Sequence, residues 1–115
     1  MIHEMMLSPK PFEMIASGTK TIELRLNDEK RQKVQVDDTI VFVRTDDSSQ
    51  MLWTKVVGLH YFDDFAQLYQ SLPLDNCGYR KEELEMARPE DMERYYSQEQ
   101  QAQYGVVVGI ELSVL

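Results

Sequence analysis

Hydrophobic and polar positions follow one another along this chain in patterns that predict about five strands and several short helices. Residues 2–7 read as a strand, after which Ser8 is placed to cap a helix and Pro9 to occupy its first turn, where a missing N–H costs nothing. Phe12, Ile15 and Ala16 then share one helical face, and Gly18 stands where a left-handed residue would end the helix. Alternation takes over in residues 21–26. Ile22, Leu24 and Leu26 fall on one side and Thr21, Glu23 and Arg25 on the other, which predicts a strand with one dry and one wet face.

A polar loop over 27–33 leads through Val34 and Val36 to a turn at Asp37-Asp38, then to a β-branched strand over 39–44 containing Phe42. The run Asp46-Asp47-Ser48-Ser49 reads as a hairpin turn before a long strand over 51–61, with Gly58 a candidate bulge. Asp63 is placed to cap a helix whose Phe65, Leu68, Tyr69 and Leu72 recur at helical spacing and which Pro73 ends. A loop over 74–79, a helical turn or two over 81–87 and a helix opened by Pro89 and running to about Tyr96 follow, with Met92 and Tyr95 expected to face inward. The nearly all-apolar run 106–112 suits a strand buried on both faces, so the two ends of the chain are expected in one sheet. The reading is an α+β domain over 1–115, with an antiparallel or mixed small barrel and a helical insertion before the last strand.

Charge changes this picture more than composition does. The net charge of -8 disfavours attraction of a duplex by bulk field. It is unevenly spread: residues 1–36 hold six Lys or Arg against five acids, and residues 37–115 hold six against fifteen. An anion site therefore belongs in the first third. The lone Cys77 forms no internal disulfide and suggests neither redox chemistry nor a zinc knuckle, and the absence of a long apolar run or leader-like start favours the cytoplasm. His3 and His60 lack partners at metal-ligand spacing, so no metal and no cofactor are expected.

The candidate chemistry gathers around Gly18-Thr19-Lys20-Thr21-Ile22-Glu23-Leu24-Arg25. Lys20 lies beyond a helix end, where its ammonium would reach a phosphate or, if desolvated, act as a base. Glu23 and Arg25 share one strand face and together offer an acceptor and a planar donor for a polar ring or a phosphate. Lys30 and Arg31 would extend the positive rim, and Tyr61, Tyr79, Tyr95, Tyr96 and Tyr104 offer stacking surfaces. The plain alternative is a solvated ion pair worth about 0–1 kcal/mol.

Gly18-x-Lys20-x-x-Glu23-x-Arg25 after a short helix, with Asp28-Glu29-Lys30-Arg31 and the closing Tyr104-Gly105-Val106-Val107, resembles the signature of the ASCH domain, in the PUA-like superfamily. The resemblance covers nearly the whole chain and is to small bacterial single-domain proteins. It implies a pseudo-barrel of five or six strands, helices over one cleft, and a role in binding RNA or a modified nucleoside at Gly18, Lys20, Glu23, Arg25, Lys30 and Arg31. Family members usually carry Gly-Asp where this chain has Asp37-Asp38, so Asp37 has to adopt the turn conformation without glycine.

Two other functions compete. A subgroup of similar size hydrolyses acetylcytidine with a lysine, a threonine and a glutamate; Lys20 matches the lysine, Glu23 stands in place of the threonine, and no counterpart of the glutamate aligns within 74–103. On that reading Lys20 is a base or activator and Glu23 an acid or orienting group. The third reading is a protein-interaction module whose acidic stretch 82–93 meets a basic partner.

Overall fold

The computed structural model describes all 115 residues. Five strands form one mixed sheet in the order β1-β3-β4-β5-β2, curled into a half-barrel: β1 (Ile2–Leu7), β2 (Ile22–Leu26), β3 (Thr39–Arg44), β4 (Asp47–Phe62) and β5 (Val107–Val114). Only β1 and β3 run parallel, and the helix α1 (Pro9–Ala16) lies in the connection after β1. Strand β5 runs through the interior of the sheet between β4 and β2, which explains its nearly continuous apolar sequence. The chain ends do share the sheet, but β3 and β4 separate their strands.

Two apolar clusters fill the molecule. One lies within the curl of the sheet and contains Met5, Phe12, Ile15, Ile40, Phe42, Val56 and Ile110; the other joins β2 and β5 to the helical insertion through Ile22, Leu24, Phe65, Leu68, Cys77 and Met92. The second cluster holds the insertion against the sheet and so roofs the space beside β2. The insertion begins with α2 (Phe65–Ser71), continues through 3₁₀ turns at Leu74–Cys77, Lys81–Met86 and Pro89–Arg94, and ends with α3 (Gln98–Tyr104).

Several local expectations change. Asp64, not Asp63, caps α2, its carboxylate accepting from the Gln67 N–H at 2.8 Å. The β3–β4 turn is only Thr45-Asp46; β4 already begins at Asp47, whose side chain accepts from the Ser49 N–H and hydroxyl. The helix expected from Pro89 is a pair of tight turns, because Asp91 bonds back to the Arg88 N–H and the chain breaks before Ser97. A new helix, α3, starts there with a reciprocal Ser97–Gln100 capping box and stops at Gly105 with φ +63°. Ala16 is exposed, as is Tyr95, while Met92 is buried as expected.

The Asp37-Asp38 turn resolves its missing glycine at a cost. Asp37 adopts φ 78°, the one non-glycine residue with positive φ. Asp38 then secures the turn, accepting from the Gln35 N–H, His3 Nε2 and the N-terminal ammonium. The bulge expected at Gly58 is present as a register shift between Val56 and Gly58. No helix is long and apolar enough to cross a membrane.

Candidate functional site

The strand β2 is at the edge of the sheet beside the opening of the half-barrel; the helical insertion packs on its apolar face, and its polar face lies on the side of the sheet that carries Val108 and Ile110, inside the curl. This placement overturns the expectation of a wet face. Glu23 is only 4% exposed although it belongs to the polar side of the alternating pattern, and Lys20, just before the strand, is 9% exposed. They do not form a solvated ion pair; Glu23 is withdrawn into the curl of the sheet and Lys20 lies against Gly78 of the insertion.

Gly18, with φ +83°, turns the chain out of α1. Lys20 then donates its backbone N–H to the Met14 carbonyl and its ammonium to Glu23 Oε1 at 2.7 Å. Glu23 Oε2 takes Arg25 from the other side, with Nε at 2.8 Å and Nη2 at 2.7 Å. One carboxylate is thus held between two cations. Burial alone would raise its pKa, but the nearby charges of Lys20 and Arg25 and their hydrogen bonds outweigh it and hold Glu23 below the usual carboxylate value. For Arg25, burial acts to lower the pKa, and the charge of Glu23 overcomes it, leaving the guanidinium more firmly protonated.

Arg25 also reaches across the opening of the half-barrel, where Nη2 donates to the Met6 carbonyl of β1 at 3.0 Å. Lys30 donates similarly to the Glu4 carbonyl. The edge strand β1 is therefore linked to β2 by Arg25 and to the loop after β2 by Lys30, where no ladder joins the two edges.

Above this row lies a cleft of about 780 Å³. Lys20, Glu23 and Arg25 are part of its lining, together with Tyr69, Tyr79, Tyr95 and Tyr96. Its charged lining is balanced: Lys10, Lys20, Arg25 and Arg94 against Glu23, Glu82, Glu83 and Asp91. Tyr79 donates to Asp91 Oδ2 at 2.7 Å and is 2.7 Å from the Tyr69 hydroxyl. Burial raises the pKa of both phenols, so each keeps its proton near neutrality. Cys77 also faces the cleft, but burial pushes its thiol up to about 12, and it donates to the Pro73 carbonyl. An unionised thiol is a poor nucleophile.

The structure brings together only part of the candidate set. Lys20, Glu23 and Arg25 converge, whereas Gly18 borders a second hollow of about 320 Å³ that it shares with Lys20. Lys30 is engaged at the β1 edge, and Arg31 is tied to Asp28 at 3.2 Å; neither lines the cleft. Of the candidate stacking residues, Tyr79, Tyr95 and Tyr96 line it, while Tyr61 and Tyr104 do not. The acidic stretch is likewise divided: Glu82, Glu85, Glu90 and Glu93 are exposed, but Glu83 and Asp91 are spent on backbone N–H groups. His3 and His60 pair with Asp38 and Glu111. Tyr69 and Asp91 are additions the sequence does not announce. Asp91 meets Tyr79 twelve residues away, through turns whose geometry no local pattern reveals.

The ASCH domain family model matches residues 5–113. The chain belongs to the ASCH domain family. Among solved structures this ASCH domain is similar to the hypothetical protein PH0355, at 29% identity over 100% of both chains with a TM-score of 0.78. It is also similar to protein PF0455 from Pyrococcus furiosus, at 30% identity over 100% of this chain and 98% of that one, with a TM-score of 0.71. A mutant ASCH protein from Zymomonas mobilis shares the fold at 13% identity and a TM-score of 0.68, over 97% of this chain and 67% of the other. No match is found among curated proteins. The fold is thus the PUA-like half-barrel that the signature implied.

Proposed function

We propose that this ASCH domain binds a modified nucleotide, free or within a short single-stranded RNA, in the cleft over Lys20, Glu23 and Arg25. The observation that carries the reading is the burial of a cation–anion–cation row beside a cleft walled by tyrosines. Withdrawing three charges from water is costly, and apolar residues of similar size would often serve stability as well. A ligand site gives the row a purpose. The cleft volume lies in the range of small-molecule sites, and the phenol rings offer flat surfaces for a base.

The balanced lining favours one nucleotide over a long strand. Lys20 and Arg25 contact at most one or two phosphates, so the logarithmic salt slope should stay below about 2 in magnitude. Binding of short RNAs and nucleosides to the wild type and to Lys20→Ala, measured across a salt series, tests the reading. Affinity should fall at least about tenfold in the variant, equivalent to one lost charge-assisted hydrogen bond. Equal affinity in both proteins would refute the site.

Amide hydrolysis of an acylated nucleoside finds less support in the geometry. Lys20 faces the cleft, as a base would, but Glu23 is held ionised and accepts from both cations. It has no proton to deliver to a leaving group.

A further inference from the structure

We infer that Tyr69, Tyr79 and Asp91 form a wall of fixed hydrogen-bond polarity that requires an N–H donor from the ligand, with Tyr79 as the positioning residue that sets it. The inference deepens the proposed nucleotide site and rests on it. It follows from counting protons. Tyr79 has a single hydroxyl hydrogen, and Asp91, as a carboxylate, only accepts, so that hydrogen lies on Asp91 Oδ2 at 2.7 Å. The Tyr69–Tyr79 contact, also 2.7 Å, then has only one possible direction: Tyr69 donates and Tyr79 accepts. With its hydrogen committed, Tyr69 has only lone pairs left for a ligand. Asp91 is fixed in turn by the Arg88 N–H, which donates to the same carboxylate oxygen at 3.1 Å.

The opposite polarity prevails at the floor. Both oxygens of Glu23 are occupied by Lys20 and Arg25, while Lys20 retains ammonium hydrogens beyond the one it gives to Glu23. The floor therefore donates and the wall accepts. The two are neighbours: the Lys20 side chain runs over Gly78, the residue before Tyr79, and Tyr69 and Tyr79 meet edge to face with ring centroids 5.9 Å apart. A heterocycle seated here has to offer a carbonyl, ring nitrogen or phosphate to the floor and an amino or imino N–H to the wall. A ring whose N–H groups are methylated would set a bulky apolar group against the Tyr69 phenol oxygen and leave its lone pairs without a donor.

The test uses matched nucleosides with and without the donor: adenosine and N6,N6-dimethyladenosine, cytidine and N4,N4-dimethylcytidine, uridine and 3-methyluridine, each also within a short oligonucleotide to separate free from RNA-borne ligands. Affinities are measured for the wild type, Tyr79→Phe, Tyr69→Phe and Lys20→Ala, with circular dichroism confirming that each variant is folded. For whichever nucleoside binds, the wild type should prefer the donor-bearing member by at least about tenfold. Tyr79→Phe frees the Tyr69 hydrogen to turn toward the ligand, so the preference should narrow to within about threefold. Tyr69→Phe should weaken the donor-bearing member toward the level of its methylated partner. A purely steric effect of the methyl groups predicts the same preference in Tyr79→Phe as in the wild type, and that result would overturn the inference. Equal binding of both members, lost together in Lys20→Ala, would overturn the wall and leave the nucleotide site standing. No binding of any nucleoside or oligonucleotide would overturn both.

Discussion

The Lys20 side chain lies against Gly78 where a side chain would otherwise project: a Cβ at that position would come within 3.3 Å of Lys20 Cδ and 3.8 Å of its ammonium nitrogen. Gly78 also has φ +109°, a conformation that L-residues resist. Gly78→Ala should therefore destabilise the protein by about 1–2 kcal/mol and displace the ammonium from Glu23. Urea denaturation measures the first effect. Nucleotide affinity measures the second, and it should fall even under conditions where the variant is fully folded.

Glu23 is the shared partner of two buried cations, so its removal should cost more than removal of either one. Glu23→Ala leaves both uncompensated and is expected to lose about 3–5 kcal/mol. Lys20→Met leaves the Glu23–Arg25 pair intact and should lose about 1–3 kcal/mol. Urea midpoints for the two variants, compared at equal slope, check the order.

Acid should weaken the fold through groups whose folded pKa is depressed. The hydrogen bond from His3, followed by that from the Gln35 N–H, lowers Asp38 from 3.8 to about 2, and Glu23 is lowered from 4.5 by Lys20 and Arg25 against the effect of burial. In each case the unfolded chain takes up its proton first as pH falls. The stability these groups contribute is complete above their ordinary values and is lost as pH drops toward the folded ones. Urea midpoints should therefore hold steady above about pH 5 and decline below about pH 4, with a shallower decline in Asp38→Asn.

The two apolar clusters should separate stability from ligand binding. Leu68→Ala and Ile40→Ala each remove a fully buried aliphatic side chain, at about 2–5 kcal/mol apiece. Leu68 belongs to the cluster that fastens the insertion to β2, whereas Ile40 lies within the curl of the sheet. Under conditions where both variants remain folded, only Leu68→Ala should weaken nucleotide binding. Isothermal titration on both variants makes the comparison.

Strands were legible in the sequence where one face is buried and the other is not, or where burial is continuous, as in β3 and β5. The Lys20–Glu23–Arg25 segment was legible as a site through its signature, but its burial was not. Alternation in β2 distinguishes its two faces without showing that both are covered, the apolar one by Leu68 and Met92 of the insertion and the polar one by the curl of the sheet, because those contacts are far apart in sequence. Helix α3 carried a readable start in Ser97-x-x-Gln100 and a readable stop in Gly105, yet its Gln-rich body has no apolar stripe. Tyr69 and Asp91 were hidden for another reason: their hydrogen bonds with Tyr79 depend on how three separate turns and a helix are stacked.

The central claim is that ligand enters the cleft above Lys20, and amide chemical-shift mapping during titration with nucleosides and short RNAs addresses it most directly. The perturbed amides should cluster at 20–25, 77–79 and 91–96. Perturbations confined to the exposed outer residues of β4, such as Met51 and Trp53, with 20–25 unmoved, would contradict it.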